Sequence, residues 1–427
     1  MTHAPLTTEI YETLADTTSD GGLDSAASRT EAGNFLRHAA SLSMTKTADG
    51  LIDPKLVLSW LLNHLGAGAF WIGLLVPVRE AGSLLPQLFT AARIHALRRR
   101  KWAWAAGSAV QGLAALGIGM AALTLEGRRA GLAILGCLAV LALARSVCSV
   151  AYKDVLGKTV GKTRRGTATG LASSAASAGI LIFAVVLMTG LTSREAVVTG
   201  ALFLAGVLWL VSALTFASLR EEASEASPDH RSVFAAFSVL KDPQLRRFIA
   251  TRGLLTGTAL APPYIVLLAG QDGGGALGRL GALVLASAGA SLVSGYVWGR
   301  LSDRSSRLVL ARSGLAAAVA LAATLVLDVV GMIQTAWTAP VVLFLLMLAY
   351  NGVRQGRSTH LVDMAQDDAR ADYTAVSNTV IGIVLLGSGL FGALASTFGP
   401  EWTLALFTTM SLCGAALALT LDEVQKG

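Results

Sequence analysis

Apolar runs of spanning length, divided by short polar or basic links, repeat from about residue 34 to residue 421 of the 427-residue chain. A helix that crosses the hydrocarbon of a bilayer needs roughly 20 consecutive apolar residues. Water is absent there, so a crossing segment must satisfy its own backbone, and a helix does so. Hydrophobic residues make up 53% of the chain and charged residues only 14%, with a mean hydropathy of +0.60. That balance is far from a soluble domain and leaves room for about twelve spans. The expected fold is an all-α polytopic membrane protein of twelve transmembrane helices in two six-helix halves.

In chain order, residues 1–33 are polar and acidic and read as a flexible tail, with a short helix near Ile10–Ala15. A first six-helix half covers 34–218, a polar connector 219–246, a second half 247–421, and a short tail 422–427. The first helix is the hardest to place. Residues 35–63 carry Arg37, Lys46, Asp49, Asp53 and Lys55, and hydropathy alone favours one span over Leu56–Val78. That window runs through Asn63-His64-Leu65-Gly66-Ala67-Gly68, a turn pattern, so helix one is assigned to 35–63 and helix two to 68–92. Further helices are expected at about 102–123, 130–152, 167–190 and 195–218, then 247–270, 278–300, 308–330, 336–360, 374–397 and 401–421. Within the connector, Val233, Phe234, Phe237 and Leu240 share one helical face, as in a helix lying at the membrane surface.

The net charge of +7 is explained without nucleic acid, because the basic residues cluster in loops on one side. Those loops hold Arg98–Lys101, Lys158–Arg165, Arg220–Arg247, Arg300–Arg312 and Arg370, whereas the loops of the other side hold only Arg128, Arg129, Arg194 and Arg279. Both termini are then cytoplasmic, in the cytoplasmic membrane. No cleavable signal peptide is read, so the first membrane helix directs insertion. Cys137, Cys148 and Cys413 lie in apolar runs without metal-ligand spacing. No catalytic constellation, phosphate loop, metal site or cofactor site emerges. Gly273-Gly274-Gly275 is read as a loop because no strand precedes it.

Between helices eight and nine stands Gly295-Tyr-Val-Trp-Gly299-Arg-Leu-Ser-Asp303-Arg304-Ser-Ser-Arg307. This pattern resembles the loop signature of the major facilitator superfamily of solute transporters, with Ser306 in place of one glycine. Gly295 and Gly299, four apart, bare a helix face for close packing. The resemblance implies a cytoplasmic gate in which Asp303 accepts from an arginine of helix four, seven or ten, or from the start of helix eleven. Arg145, Arg252, Arg354 and Arg357 are the candidate arginines, with Arg304 and Arg307 in the loop itself; structural pairing with loop acids is the competing reading for them. The corresponding first-half loop, Arg93–Lys101, lacks the Asp and the glycines. Helix five, Thr167–Gly190, has no proline and so departs from the Gly-Pro motif of proton-antiport drug exporters. Related halves are usual in transporters. Arg164-Arg165-Gly-Thr-Ala-Thr-Gly resembles Ala369-Arg370-Ala-Asp-Tyr-Thr-Ala, and Pro54 and Pro263 fall at similar offsets.

Charges inside membrane helices mark function or deliberate pairing. Lys46, Asp49 and Asp53 share a face of helix one, and Arg79 and Glu80 lie mid-membrane in helix two, extended by Ser83 and Gln87. They form either a polar wall that binds solute, with Asp49 or Glu80 able to take up a proton, or a structural bridge such as Lys46 with Glu80 or Arg79 with Asp49. Pro262-Pro263 frees backbone carbonyls in helix seven and marks a kink. The expectation is a monomeric secondary transporter of a small organic solute, leaning to an organic anion because bases exceed acids within the helices. The alternative is a non-transporting solute sensor or membrane assembly factor of the same fold.

Overall fold

The computed structural model describes residues 11–13, 25–87, 90, 93–94, 96–190, 193–223, 237–270, 276–302, 304–365 and 370–425. Among the described residues twelve helical units follow one another along the chain. Units α1 to α6 are α1 (Glu31–Leu51, continued by Val57–His64), α2 (Ala69–Leu84), α3 (Lys101–Thr124), α4 (Gly127–Thr159), α5 (Arg165–Thr189) and α6 (Arg194–Ala217). Units α7 to α12 are α7 (Pro243–Leu254, Gly257–Leu260 and Pro262–Ala269), α8 (Ala276–Ser302), α9 (Ser306–Val329), α10 (Thr338–Met364), α11 (Arg370–Gly387 and Leu390–Phe398) and α12 (Pro400–Ala418). Eight units are long and apolar enough to cross a membrane on that ground alone, namely α3 to α7, α9, α11 and α12. The charged α1 is not among them, and it is held in the bundle by pairing described below. Large apolar side chains point outward around the bundle, including Leu132, Ile182, Leu214 and Val319, as expected of a lipid-facing surface.

The turn between α1 and α2 falls at Gly66 and Gly68, with φ of 70° and 89°, a region that glycine enters without steric cost. The tail residue Tyr11 is buried against the Phe35 ring, with ring centroids 5.3 Å apart. Burial and the neighbouring Glu31 carboxylate push its phenol up to about 12. Of the connector's amphipathic residues, Phe237 and Leu240 lie in a 3-10 turn, Phe237–Lys241, while Val233 and Phe234 fall outside the described residues, as do Gly273 to Gly275.

The packing has an internal two-fold. In the first half α1 packs on α5 and α6, α2 on α4, and α3 on α4 and α6. In the second half α7 packs on α11 and α12, α8 on α10, and α9 on α10 and α12. Adding six to each number of the first set gives the second. The contacts between halves obey the same rule, since α2 meets α11 and α5 meets α8. The distal segments of α1 and α7 also touch. Several of these joining contacts lie at the end of the bundle away from the basic loops. There a Cβ on Gly73 would stand 2.5 Å from the Gly392 backbone and 2.6 Å from the Tyr264 hydroxyl, so only bare backbone permits α2 and α11 to approach so closely.

At the basic end each half is tied by a matching cap. Glu221, just past α6, accepts from the backbone N–H groups of Arg100 and Lys101 at 3.0 and 2.8 Å, and Lys101 Nζ donates to the carbonyls of Ala217 and Leu219. Glu423, just past α12, accepts from Ser305 Oγ at 2.6 Å and Arg307 Nε at 3.1 Å, while Arg307 also donates to the Leu421 carbonyl. Glu221 thus meets unpaired N–H groups at the start of α3, whereas at the start of α9 Glu423 is held through side chains and the Ser306 N–H donates to Gln425 at 2.9 Å.

Substituting Gly73→Ala is expected to destabilise the protein by about 1–3 kcal/mol through overpacking, seen as a lowered thermal unfolding midpoint in detergent. Gly136→Ala in α4, where an added Cβ meets no atom within 4 Å, is the control and should leave the midpoint unchanged or raise it. Equal midpoints for the two variants would contradict the close-approach reading.

Candidate functional site

Three charges from different helices meet inside the first half. Asp49 on α1 accepts from Arg79 of α2 through Oδ1 at 2.6 Å and from Arg145 of α4 through Oδ2. Arg79 is buried, Asp49 nearly so, and Arg145 is over a third exposed. A lone charge at that depth would be strongly disfavoured, and opposite charges in contact offset the cost of desolvation. Of the two pairings weighed from the sequence, the structure contains Arg79 with Asp49. Lys46 instead donates to Ser173 of α5 at 2.5 Å, and Glu80 makes no ion pair among the described residues.

The spanning helices break where polar groups are needed. Helix α1 ends at Leu51 and restarts at Val57, across Asp53-Pro54. Proline cannot continue the hydrogen-bond ladder, and the freed groups find local partners. Asp53 Oδ1 accepts from the Lys55 N–H at 2.7 Å, and Ser59 Oγ donates to the Pro54 carbonyl at 2.7 Å. The break carries Lys55 across to the other half, where its ammonium lies 3.5 Å from the centroid of the Tyr350 ring of α10, a cation–π contact. Helix α7 breaks likewise, and Pro262 and Pro263 open its last segment.

Between the halves lies a cavity of about 210 Å³ walled by α1, α5, α8 and α10. Its polar lining includes Asp53, Lys55, Ser291, Tyr350, Asn351 and Arg354. A narrower space adjoins it through Tyr350 and Arg354 and reaches Glu80, Arg252 and Arg357. Arg252 is engaged, donating to Ser377 at 2.8 Å and Asn378 at 2.9 Å on α11. Arg354 and Arg357 form no ion pair or hydrogen bond among the described residues. Glu80 and Arg357 line this space together. Cations outnumber carboxylates along this lining.

The remaining residues singled out in the sequence are dispersed. Ser83 and Gln87 turn back to their own helix, donating to the carbonyls of Glu80 and Ser83. Arg145 points to Asp49, and Arg307 is tied to Glu423. Arg304 is exposed, Gly295 and Gly299 lie within α8, and Asp303 falls outside the described residues. Lys55, Tyr350 and Asn351 were missed as site residues. The Asp-Pro pair inside a spanning helix was the available signal for Lys55, whereas Tyr350 and Asn351 carry none that distinguishes them from packing residues. Among the described residues no group of three or more His, Cys, Asp or Glu is placed to hold a metal ion.

The sequence matches the family model described as Major Facilitator Superfamily over residues 41–384. No curated protein sequence matches it. Among solved structures, a mutant of the nucleoside transporter NupG superimposes with a TM-score of 0.70 at 12% identity, covering 91% of this chain and 100% of that one. A D-xylose–proton symporter gives 0.68 at 10% identity over 92% and 98% of the two chains. A POT family transporter in complex with a thioalcohol-conjugated peptide gives 0.68 at 10% over 90% and 95%. At these identities the likeness is one of fold.

Removing Asp49 should be costly, because Arg79 is then left buried without its anion. Asp49→Ala is expected to lose about 3–5 kcal/mol of stability. Arg145→Ala should cost clearly less, since Asp49 keeps Arg79 and the lost side chain is partly solvated. Chemical or thermal unfolding in detergent measures both, and a milder effect for Asp49→Ala than for Arg145→Ala would contradict the described pairing.

Proposed function

The chain belongs to the Major Facilitator Superfamily, and from that premise we propose that it carries a small organic anion across the cytoplasmic membrane by alternating access. It is a multi-pass membrane protein and a transporter rather than an enzyme. The observation that carries the anion reading is the pair Arg354 and Arg357, two guanidinium groups lining the space between the halves with no carboxylate bonded to them among the described residues. A guanidinium presents several N–H donors in a plane and suits carboxylate or phosphate oxygens. Lys55, Asn351 and Ser291 add donors from α1, α10 and α8.

The same lining supports a role for Glu80. Like Asp53, it is a cavity carboxylate of the first half without an ion-pair partner among the described residues, and it alone of the two shares its space with Arg357. A proton on Glu80 would leave the arginines' charge to the solute; an ionised Glu80 would compete for it. Proton and anion would then move together. The two halves rock about the contacts of α2 with α11 and α5 with α8, and the cavity they enclose opens toward the basic, cytoplasmic side, where both termini lie. Charges of the basic loops favour that orientation.

The test is flux into liposomes containing the purified protein. Labelled monocarboxylates, dicarboxylates and sugar phosphates would be supplied, with neutral sugars as controls. An organic anion should be taken up, and Arg354→Gln should reduce its uptake about tenfold or more, as expected for losing a charged hydrogen bond. Glu80→Gln should retain anion exchange while removing its response to an imposed pH gradient. Uptake of neutral sugars alone, unaffected by Arg354→Gln, would overturn the anion reading. Anion flux that still follows the pH gradient in Glu80→Gln would overturn the coupling role.

A further inference from the structure

A second cavity, of about 250 Å³, lies wholly inside the first half, walled by α1, α3, α4 and α5. We propose that it is a separate binding site for a small organic carboxylate that also carries a hydroxyl or N–H donor. The proposal rests on the transport reading for its purpose, a holding site for solute on the basic side, but its chemistry stands on this cavity's own walls.

The first observation is Gln111 of α3, which lines the cavity and is only 1% exposed. Its amide nitrogen donates weakly to the Gly107 carbonyl at 3.4 Å and to Cys148 Sγ at 3.3 Å. Its Oε1 is buried, and among the described residues no group donates a hydrogen bond to it. The hydroxyl of Tyr152, on the α4 wall, is also buried without a partner among the described residues. Buried polar atoms are almost always bonded, and leaving one unmet costs its desolvation. An acceptor at this position selects an occupant that brings a donor.

The second observation is charge. Lys46, Arg145 and Lys153 line the cavity, with Asp49 as the opposing carboxylate. Both oxygens of Asp49 are already engaged, Oδ1 by Arg79 and Oδ2 by Arg145. Arg79 therefore takes part of the charge that would otherwise offset the lining cations. Among the described residues Lys46 has only the neutral Ser173 hydroxyl as its bonded partner, and Arg145 is over a third exposed. The lining keeps a positive excess that an anion would balance. Leu42 and Trp104 supply apolar wall beside these groups, so the occupant combines a carboxylate, a compact apolar body and a donor. Binding pockets commonly join an apolar lining to a few placed polar groups in this way.

Calorimetric titration of the full-length protein in detergent, with 4-hydroxybenzoate and with benzoate as probes, tests the inference. Two sites per chain are expected for 4-hydroxybenzoate. Gln111→Leu should weaken one of them about tenfold, to the level of benzoate, and Lys153→Met should weaken the same one for both acids. Arg354→Gln should affect only the other. Thermal unfolding checks that Gln111→Leu remains folded, and Lys153→Met, which removes charge without opening a cavity, serves if it does not. A single site, lost in Arg354→Gln, would overturn the inference and leave water as the content of the cleft. So would binding insensitive to both cleft substitutions, or no saturable binding of either acid. A single site sensitive to Gln111→Leu and indifferent to Arg354→Gln would instead sustain this inference and count against the solute site between the halves.

Discussion

The contact of Asp49 with Arg79 and Arg145 decides how the other charges of the membrane interior can be used. Charges at this depth persist only when paired or facing water. By engaging both its oxygens, Asp49 settles two arginines and joins α1, α2 and α4 into one unit. On the proposed reading, the groups left outside that pairing serve the solute: Glu80 and Lys55 from the first half, Arg354 and Arg357 from the second, and Lys46 with Lys153 in the inner cleft. The anion reading follows from this division more than from the total charge, because the net charge of the chain is dominated by loops that the positive-inside tendency already explains.

The two-fold arrangement explains how such a site is placed. Each half repeats the same helix neighbours, and the two joining contacts, α2 with α11 and α5 with α8, exchange under the same operation. A symmetric pair of contacts is what the proposed rocking of one half against the other calls for. The helix breaks at Asp53-Pro54 and before Pro262 follow the same relation. They deliver polar side chains and backbone to the space between the halves, where irregular structure is tolerated because it lines a cavity. The caps made by Glu221 and Glu423 hold the basic end of each half together as a separate body.

Much of the architecture was legible in the sequence because lipid imposes it. Spanning length, the glycine turn at Gly66–Gly68, the one-sided basic loops and the prolines within helices one and seven are local signals, and each has its counterpart in the structure. Of the partners of the intramembrane charges, only Arg79 with Asp49 was among the pairings the sequence offered. Lys46, Asp49 and Asp53 were placed on one face of helix one, yet spacing along one helix fixes only a shared face. It does not say which neighbouring helix meets that face, so Asp49 with Arg145, 96 residues away, and Lys55 over Tyr350 are products of packing. Glu221 of the connector and Glu423 of the tail were passed over for the same reason, since a carboxylate after a helix looks like any surface acid until the third helix of the half arrives beside it. The loop signature drew attention to Arg145 and Arg307 as gate residues, whereas the structure engages them with Asp49 and Glu423.

The most direct measurement of the central claim is a structure of the protein bound to a brominated organic carboxylate, with the bromine located by its anomalous signal. The account predicts a peak in the cavity between the halves, with the carboxylate within hydrogen-bonding reach of Arg354 or Arg357. Occupied sites confined to the lipid-facing surface, with both arginines left uncontacted at saturating ligand, would contradict it.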